Sequence, residues 1–167
     1  MAFLYKEGFS LFITMGRISL FILLSILIVA CNQQPEKPAV IPGEQSRQLI
    51  DEHFRYLNDH DLKAIVAQYA DKSKITTTDW DGESYGPQGA DQMFHQLFYT
   101  SPDAKYLVDN IINNDSTVVV EYDIVGLRDK PDSQLRHDQR NCSIFRIKNN
   151  KIISEATYSN QRLYHTK

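Results

Sequence analysis

His53 and Asp79 have the side-chain types for proton transfer. An imidazole titrates near neutrality, and a carboxylate can orient it or act as the base beside it. His53 falls at helical spacing with Leu49, Ile50, Phe54 and Leu57, on the face that a helix over residues 45–58 turns inward. Asp79 lies in the β-branched run ITTTDW, residues 75–80, where alternation puts Ile75, Thr77 and Asp79 on one side. A plainer account of the same residues also stands: His53 is a buried or rim histidine, and Asp79 opens a turn with Asp81 and Gly82. Other chemistry has less support. Cys142 and Ser143 are adjacent in a strand and face opposite sides, and no neighbour in sequence would lower the Cys142 thiol pKa. His53, His60, His95, His137 and His165 lack metal-ligand spacing, and no metal or cofactor is implied.

Several elements must position these groups. After the first helix, Asp61 is placed to cap a second one, in which Leu62, Ile65, Val66 and Tyr69 recur at helical spacing. Gly82, Gly86, Pro87 and Gly89 punctuate a loop, and a third helix over residues 90–99 carries Met93, Phe94, Leu97 and Phe98 inward. Strands are expected over residues 106–112 and 117–127, joined by an Asn113-Asn114-Asp115 turn. A polar connection over residues 128–137 contains Pro131. Strands over 141–148 and 151–158 then flank Asn149-Asn150, a two-residue turn of a kind that accepts positive φ. Helices first and an antiparallel sheet afterwards make an α+β domain.

The chain has 167 residues and a formal net charge of −3, enough for one domain. Lys6, Glu7 and Arg17 are the charges up to Cys31, which leaves 16 basic and 20 acidic residues beyond it. There is no basic stripe to neutralise phosphates, so a nucleic-acid partner is excluded. Residues 18–30 (ISLFILLSILIVA) follow Arg17 and would span about 20 Å as a helix, short of the roughly 30 Å hydrocarbon core. Such a segment reads as a secretory signal. Its ending, Ile28-Val29-Ala30-Cys31, resembles the lipobox of bacterial lipoproteins. That resemblance implies cleavage before Cys31 and a lipid on its thiol, with several acyl chains giving stable anchoring. Cys142 would then have no disulfide partner. Asn32 follows where an aspartate would resemble an inner-membrane retention signal, which places the protein at the outer membrane, facing the periplasm. An uncleaved anchor helix is the alternative, and translation can start at Met1 or Met15. Pro35, Pro38 and Pro42 make the following stretch a tether. The expected layout is a signal over residues 1–30, lipidated Cys31 and tether over 31–44, and a domain over 45–167.

The order helix, helix, short strand, glycine loop, helix, long strands resembles the nuclear transport factor 2-like superfamily and its SnoaL-like branch. The residues that carry the resemblance are Tyr56-Leu57-Asn58-Asp59-His60-Asp61-Leu62, Tyr69-Ala70-Asp71, Gly89, and the closing hairpin Phe145-Arg146-Ile147-Lys148-Asn149-Asn150-Lys151-Ile152. It implies three helices packed in a curved sheet that forms a cone with a mostly apolar pocket. Phe54, Thr77, Tyr85, Phe94 and Phe98 are the expected ligand contacts, with Trp80 a further aromatic candidate. The superfamily includes ketosteroid isomerases, whose base, tyrosine and protonated aspartate would correspond to Thr77, His53 and Ser143. A threonine is no proton-abstracting base at neutral pH, so that mechanism does not transfer. A His53–Asp79 pair with Ser143 as third polar group is the substitute. Because fold alone does not fix function, three classes remain open: a lipoprotein that binds a small apolar ligand, a SnoaL-like enzyme, and a non-catalytic interaction module. The last would form a homodimer through a sheet face bearing Val118, Val120 and Tyr122 or their alternates.

Overall fold

The computed structural model describes residues 42–79 and 82–166, all within one compact unit. The signal segment, Cys31, most of the tether and Trp80 lie outside the described residues. Among the described residues no helix is long and apolar enough to cross a membrane.

Helix α1 spans Pro42–Asp59, so its first turn falls inside the stretch expected as tether. Leu49, Ile50, His53, Phe54 and Leu57 are all buried, as their spacing predicts. His60 adopts φ 54° and ends the helix; Asp61 then caps α2 (Leu62–Ala67) by accepting from the Ala64 amide at 3.0 Å. Tyr69 does not continue that helix. It is the first residue of β1 (Tyr69–Thr77), which is longer than the expected strand and stops before Asp79. The two-residue strand β2 (Ser84–Tyr85) leads into α3 (Gly86–Thr100), which starts four residues earlier than expected because Pro87 occupies its first turn.

Strands β3 (Lys105–Asn114), β4 (Thr117–Leu127), β5 (Leu135–Lys148) and β6 (Lys151–Ser159) form the meander that the turn residues predict. Asn149 and Asn150, with φ 52° and 56°, make the tight β5–β6 turn, and Asp115 with φ 47° turns β3 into β4. The connection after β4 is shorter than expected, since β5 begins at Leu135 to pair with β7 (Leu163–Thr166), a strand the sequence reading lacks. The sheet order is β2-β1-β6-β5-β4-β3, with β7 beside β5. Strands β1 and β6 pair in parallel, which makes the sheet mixed.

Helices α1 and α3 close the concave face. Val118, Val120 and Tyr122 of β4 and Ser143 and Phe145 of β5 point into that interior, so the outer face carries the alternates Val119, Glu121 and Asp123. Asn58 docks the end of α1 onto β3: its side chain donates to the Tyr106 carbonyl and accepts from the Tyr106 amide, both at 2.9 Å. Tyr106 is thereby fixed under α1.

Candidate functional site

Between the helices and the sheet lies a cavity of about 360 Å³, near the small end of the roughly 300–1,000 Å³ range of ligand sites. Its wall is mainly aromatic and aliphatic. Phe54 and Leu57 come from α1, Met93 and Phe94 from α3, and Tyr106, Tyr122 and Phe145 from the sheet. Phe54 packs edge-on against Tyr122, with ring centroids 4.8 Å apart.

His53 is fully buried in this wall, among the rings of Phe54, Tyr69, Phe94 and Phe145. Its tautomer follows from its neighbours. Gln68 Nε2 donates to the Leu49 carbonyl at 3.1 Å, which turns Gln68 Oε1 toward His53 Nδ1 at 2.8 Å. A carbonyl oxygen can only accept, so Nδ1 carries the proton and Nε2 is left as a bare acceptor. Among the described residues no group meets Nε2. Burial drives the His53 pKa down to about 4 against the opposing pull of Gln68, so the ring is neutral at pH 7.

Glu155 is a buried carboxyl in the same wall. Tyr69 donates a short hydrogen bond to Oε2, and Thr157 donates to Oε1 at 3.3 Å. Burial holds its pKa above the ordinary carboxylate range, partly offset by those two hydroxyls. Behind it, Thr157 and Ser143 oxygens lie 2.7 Å apart, and Ser143 and Tyr122 oxygens 3.0 Å apart. With Thr157 donating to the carboxyl, Ser143 must donate to Thr157 and Tyr122 to Ser143. Tyr106 lies on the opposite wall, and its buried hydroxyl finds no partner among the described residues. Burial raises the pKa of the phenol well above the ordinary value, so it stays protonated.

Five of the expected site residues, His53, Phe54, Thr77, Asp79 and Phe94, line this cavity. The His53–Asp79 hydrogen-bonded pair is not formed. Asp79 sits past the end of β1, accepts from Gln139 at 3.1 Å and Ser159 at 2.8 Å, and approaches Arg162 at 3.8 Å. Ser143 is buried behind the wall. Tyr85 stays outside because it precedes α3: it is 57% exposed and donates to Glu83. Phe98, one turn beyond Phe94, stacks on His60 at 4.4 Å and not in the cavity. Cys142 is a free thiol on the outer face, and no metal-binding cluster occurs among the described residues.

Glu155, Tyr106 and Asn141 are site residues that the sequence reading lacks. For Glu155 the reason is a β-bulge. An unbroken hairpin closing on Asn149-Asn150 would pair Phe145 with Ser154 and turn Glu155 outward. Ile147 does pair with Ile152, but Arg146 pairs with Ser154 and Phe145 with Glu155. One extra residue on β6, Ile153, therefore brings Glu155 and Thr157 inward.

A cone of three helices in a curved mixed sheet is the architecture of nuclear transport factor 2-like proteins. The profile of the SnoaL-like domain matches residues 50–155, and the chain belongs to that family. Solved structures share the fold at low identity. Bal32a, from a soil-derived mobile gene cassette, is 16% identical over 72% of this chain and 93% of its own, with a TM-score of 0.64. A protein assigned as a SnoaL-like polyketide cyclase from Jannaschia sp. CCS1 is 16% identical over 76% and 91%, with a TM-score of 0.63. An epoxide hydrolase of the LEH-like kind from M. tuberculosis is 12% identical over 72% and 86%, with a TM-score of 0.61. No curated protein matches the chain in sequence.

Proposed function

We infer that this chain is a lipoprotein of the cell envelope whose SnoaL-like domain holds a small, mostly apolar ligand in the cone cavity. The observation that carries the binding reading is the pair of buried polar atoms in the aromatic wall, His53 Nε2 and Tyr106 Oη, that no group among the described residues satisfies. Native proteins rarely leave such atoms unpaired, and a ligand hydroxyl or amine would satisfy them. Native mass spectrometry of the purified chain tests it. A small molecule that dissociates on denaturation is expected, and consistently empty protein from its own host would count against binding.

The anchor reading rests on the lipobox-like residues 28–31 and the apolar run before them. Metabolic labelling with an alkyne fatty acid should mark the wild type and not Cys31→Ser. Equal labelling of both would exclude lipidation at Cys31.

A second reading is favoured by Glu155. A carboxyl whose pKa burial raises, set in an apolar cavity, is suited to act as a general acid or base, with His53 Nε2 as a second proton acceptor. Turnover of a retained compound by wild type and not by Glu155→Gln would support it, and unchanged turnover in that variant would exclude it.

A further inference from the structure

Charge in the cavity divides by depth. At the mouth the charged side chains are partnered. Arg162 binds Asp129 at 2.9 Å and approaches Asp79 at 3.8 Å. Arg128 holds Asp103 at 3.1 Å and donates to the Pro131 carbonyl at 2.8 Å. Deep in the cavity stands Glu155, met by two neutral hydroxyls and, among the described residues, by no cation. A buried carboxyl without a counter-charge must hold a proton or meet a cation.

Among the described residues, the other unsatisfied atoms of the inner wall can all accept a hydrogen bond. His53 Nε2 is a bare acceptor. Asn141 Oδ1 has no partner, while its amide nitrogen is turned to the Gln139 carbonyl at 3.4 Å. The Tyr106 hydroxyl can accept as well as donate. An unpaired donor, Arg128 Nε, belongs to the guanidinium already clamped at the mouth. The rings of Phe54, Phe94, Phe145 and Tyr122 complete the wall, and aromatic faces attract cations. A carbonyl or carboxylate group entering this space would find one inner donor, Tyr106, against several acceptors. A positively charged N–H donor meets acceptors throughout, and the neutral His53 ring does not repel it.

We propose that the cavity binds a small organic amine in its ammonium form, with the ammonium at Glu155 and the apolar body against Phe54, Phe94 and Phe145. This names the ligand class of the site above and rests on its being a ligand site. Calorimetric titration of the full-length chain in lipid nanodiscs tests it, with benzylamine, benzyl alcohol, benzaldehyde and benzoate as size-matched probes at pH 7 and empty discs as the blank. Benzylammonium is expected to bind at least about tenfold tighter than the alcohol, the difference between a charge-assisted and a neutral hydrogen bond. Benzoate should give no signal above the blank. Glu155→Gln should bring the amine down to the affinity of the alcohol. Alcohol or aldehyde binding as tightly as the amine would overturn the amine proposal and leave the ligand site standing. Failure of all four probes would overturn both. Should Glu155→Gln not fold, the wild-type ranking decides by itself.

Discussion

Acidification should destabilise this domain through His53, by an amount the structure sets. The folded ring resists protonation until pH falls to about 4, whereas an unfolded histidine takes its proton near 6.5. Between those values the unfolded state binds more protons, so stability falls as pH drops through the window. Above 6.5 neither state is charged and the group contributes no penalty. Below about 4 both are charged and no further loss arises from it. The full effect is about 3 kcal/mol, with a slope approaching 1.4 kcal/mol per pH unit at mid-window. For a domain of this size that is a melting shift of about 10 °C. Urea unfolding followed by circular dichroism at pH 7, 6, 5 and 4 measures it. His137, whose pKa burial also lowers, contributes in the same direction, and Glu155 in the opposite one. His53→Asn isolates the ring, since an asparagine amide can replace Nδ1–H as donor to Gln68 but cannot titrate. The variant should lose stability at every pH through the space it leaves. Its pH dependence should nevertheless be flatter than wild type by about 3 kcal/mol across the window. Parallel curves would refute the assignment. So would an imidazole nitrogen spectrum showing a His53 midpoint near 6.5 or the proton on Nε2 at pH 7.

Further predictions concern the wall and the helix that closes it. Because Glu155 keeps its proton above the ordinary carboxylate range, wild-type stability should fall as pH rises through its raised pKa. Glu155→Gln should therefore gain on wild type between pH 5 and pH 8, and a difference in melting temperature that ignores pH would count against this. Glu155→Leu instead strands the Tyr69 hydroxyl, Thr157 keeping its bond to Ser143, and should cost about 1–3 kcal/mol, measured by urea unfolding. Gly86 has φ +63°, and an added Cβ would come within 2.5 Å of the Asp71 carbonyl oxygen. Gly86→Ala should thus cost at least about 1–3 kcal/mol, and a loss below about 0.5 kcal/mol would contradict that backbone. Phe145 is 1% exposed beside His53, so Phe145→Ala should cost about 3–5 kcal/mol and enlarge the cavity enough to raise uptake of an apolar dye.

The sequence was most legible where the information is local. Helical spacing placed Leu49, Ile50, His53, Phe54 and Leu57 on one buried face, and Asp61 and the two asparagines named a cap and a turn that both occur. The errors lie where partners far apart in sequence decide. Tyr69 fits a helical period as well as a strand end, and it is drawn into β1 by pairing with Ile152. Strand β7 has no apolar period of its own and exists through its ladder to the start of β5. Phe98 and Phe94 are equivalent in local pattern, yet one meets His60 and the other the cavity.

Glu155 shows why a site on this sheet resists local reading. Its neighbours, Ser154 and Ala156, are the residues an unbroken alternation from Ile152 would send inward, and a charged residue between them reads as solvent-facing. Which phase holds is fixed by the ladder to β5, where the extra residue Ile153 shifts every later pair. The buried carboxyl then selects its surroundings: Tyr69 arrives as the first residue of β1, and Thr157 from two places along β6. Those hydroxyls can hydrogen-bond the carboxyl but cannot neutralise it. The remaining open side is the cavity, so its electrostatic character follows from the shift of one residue in register. Deleting Ile153 should close the hairpin without a bulge while Phe145 stays opposite Glu155, so the carboxyl should remain in the cavity and the preference for a cationic probe should survive. Loss of that preference in a folded deletion variant would show that the bulge itself, and not the pairing of Phe145 with Glu155, holds the carboxyl in the cavity.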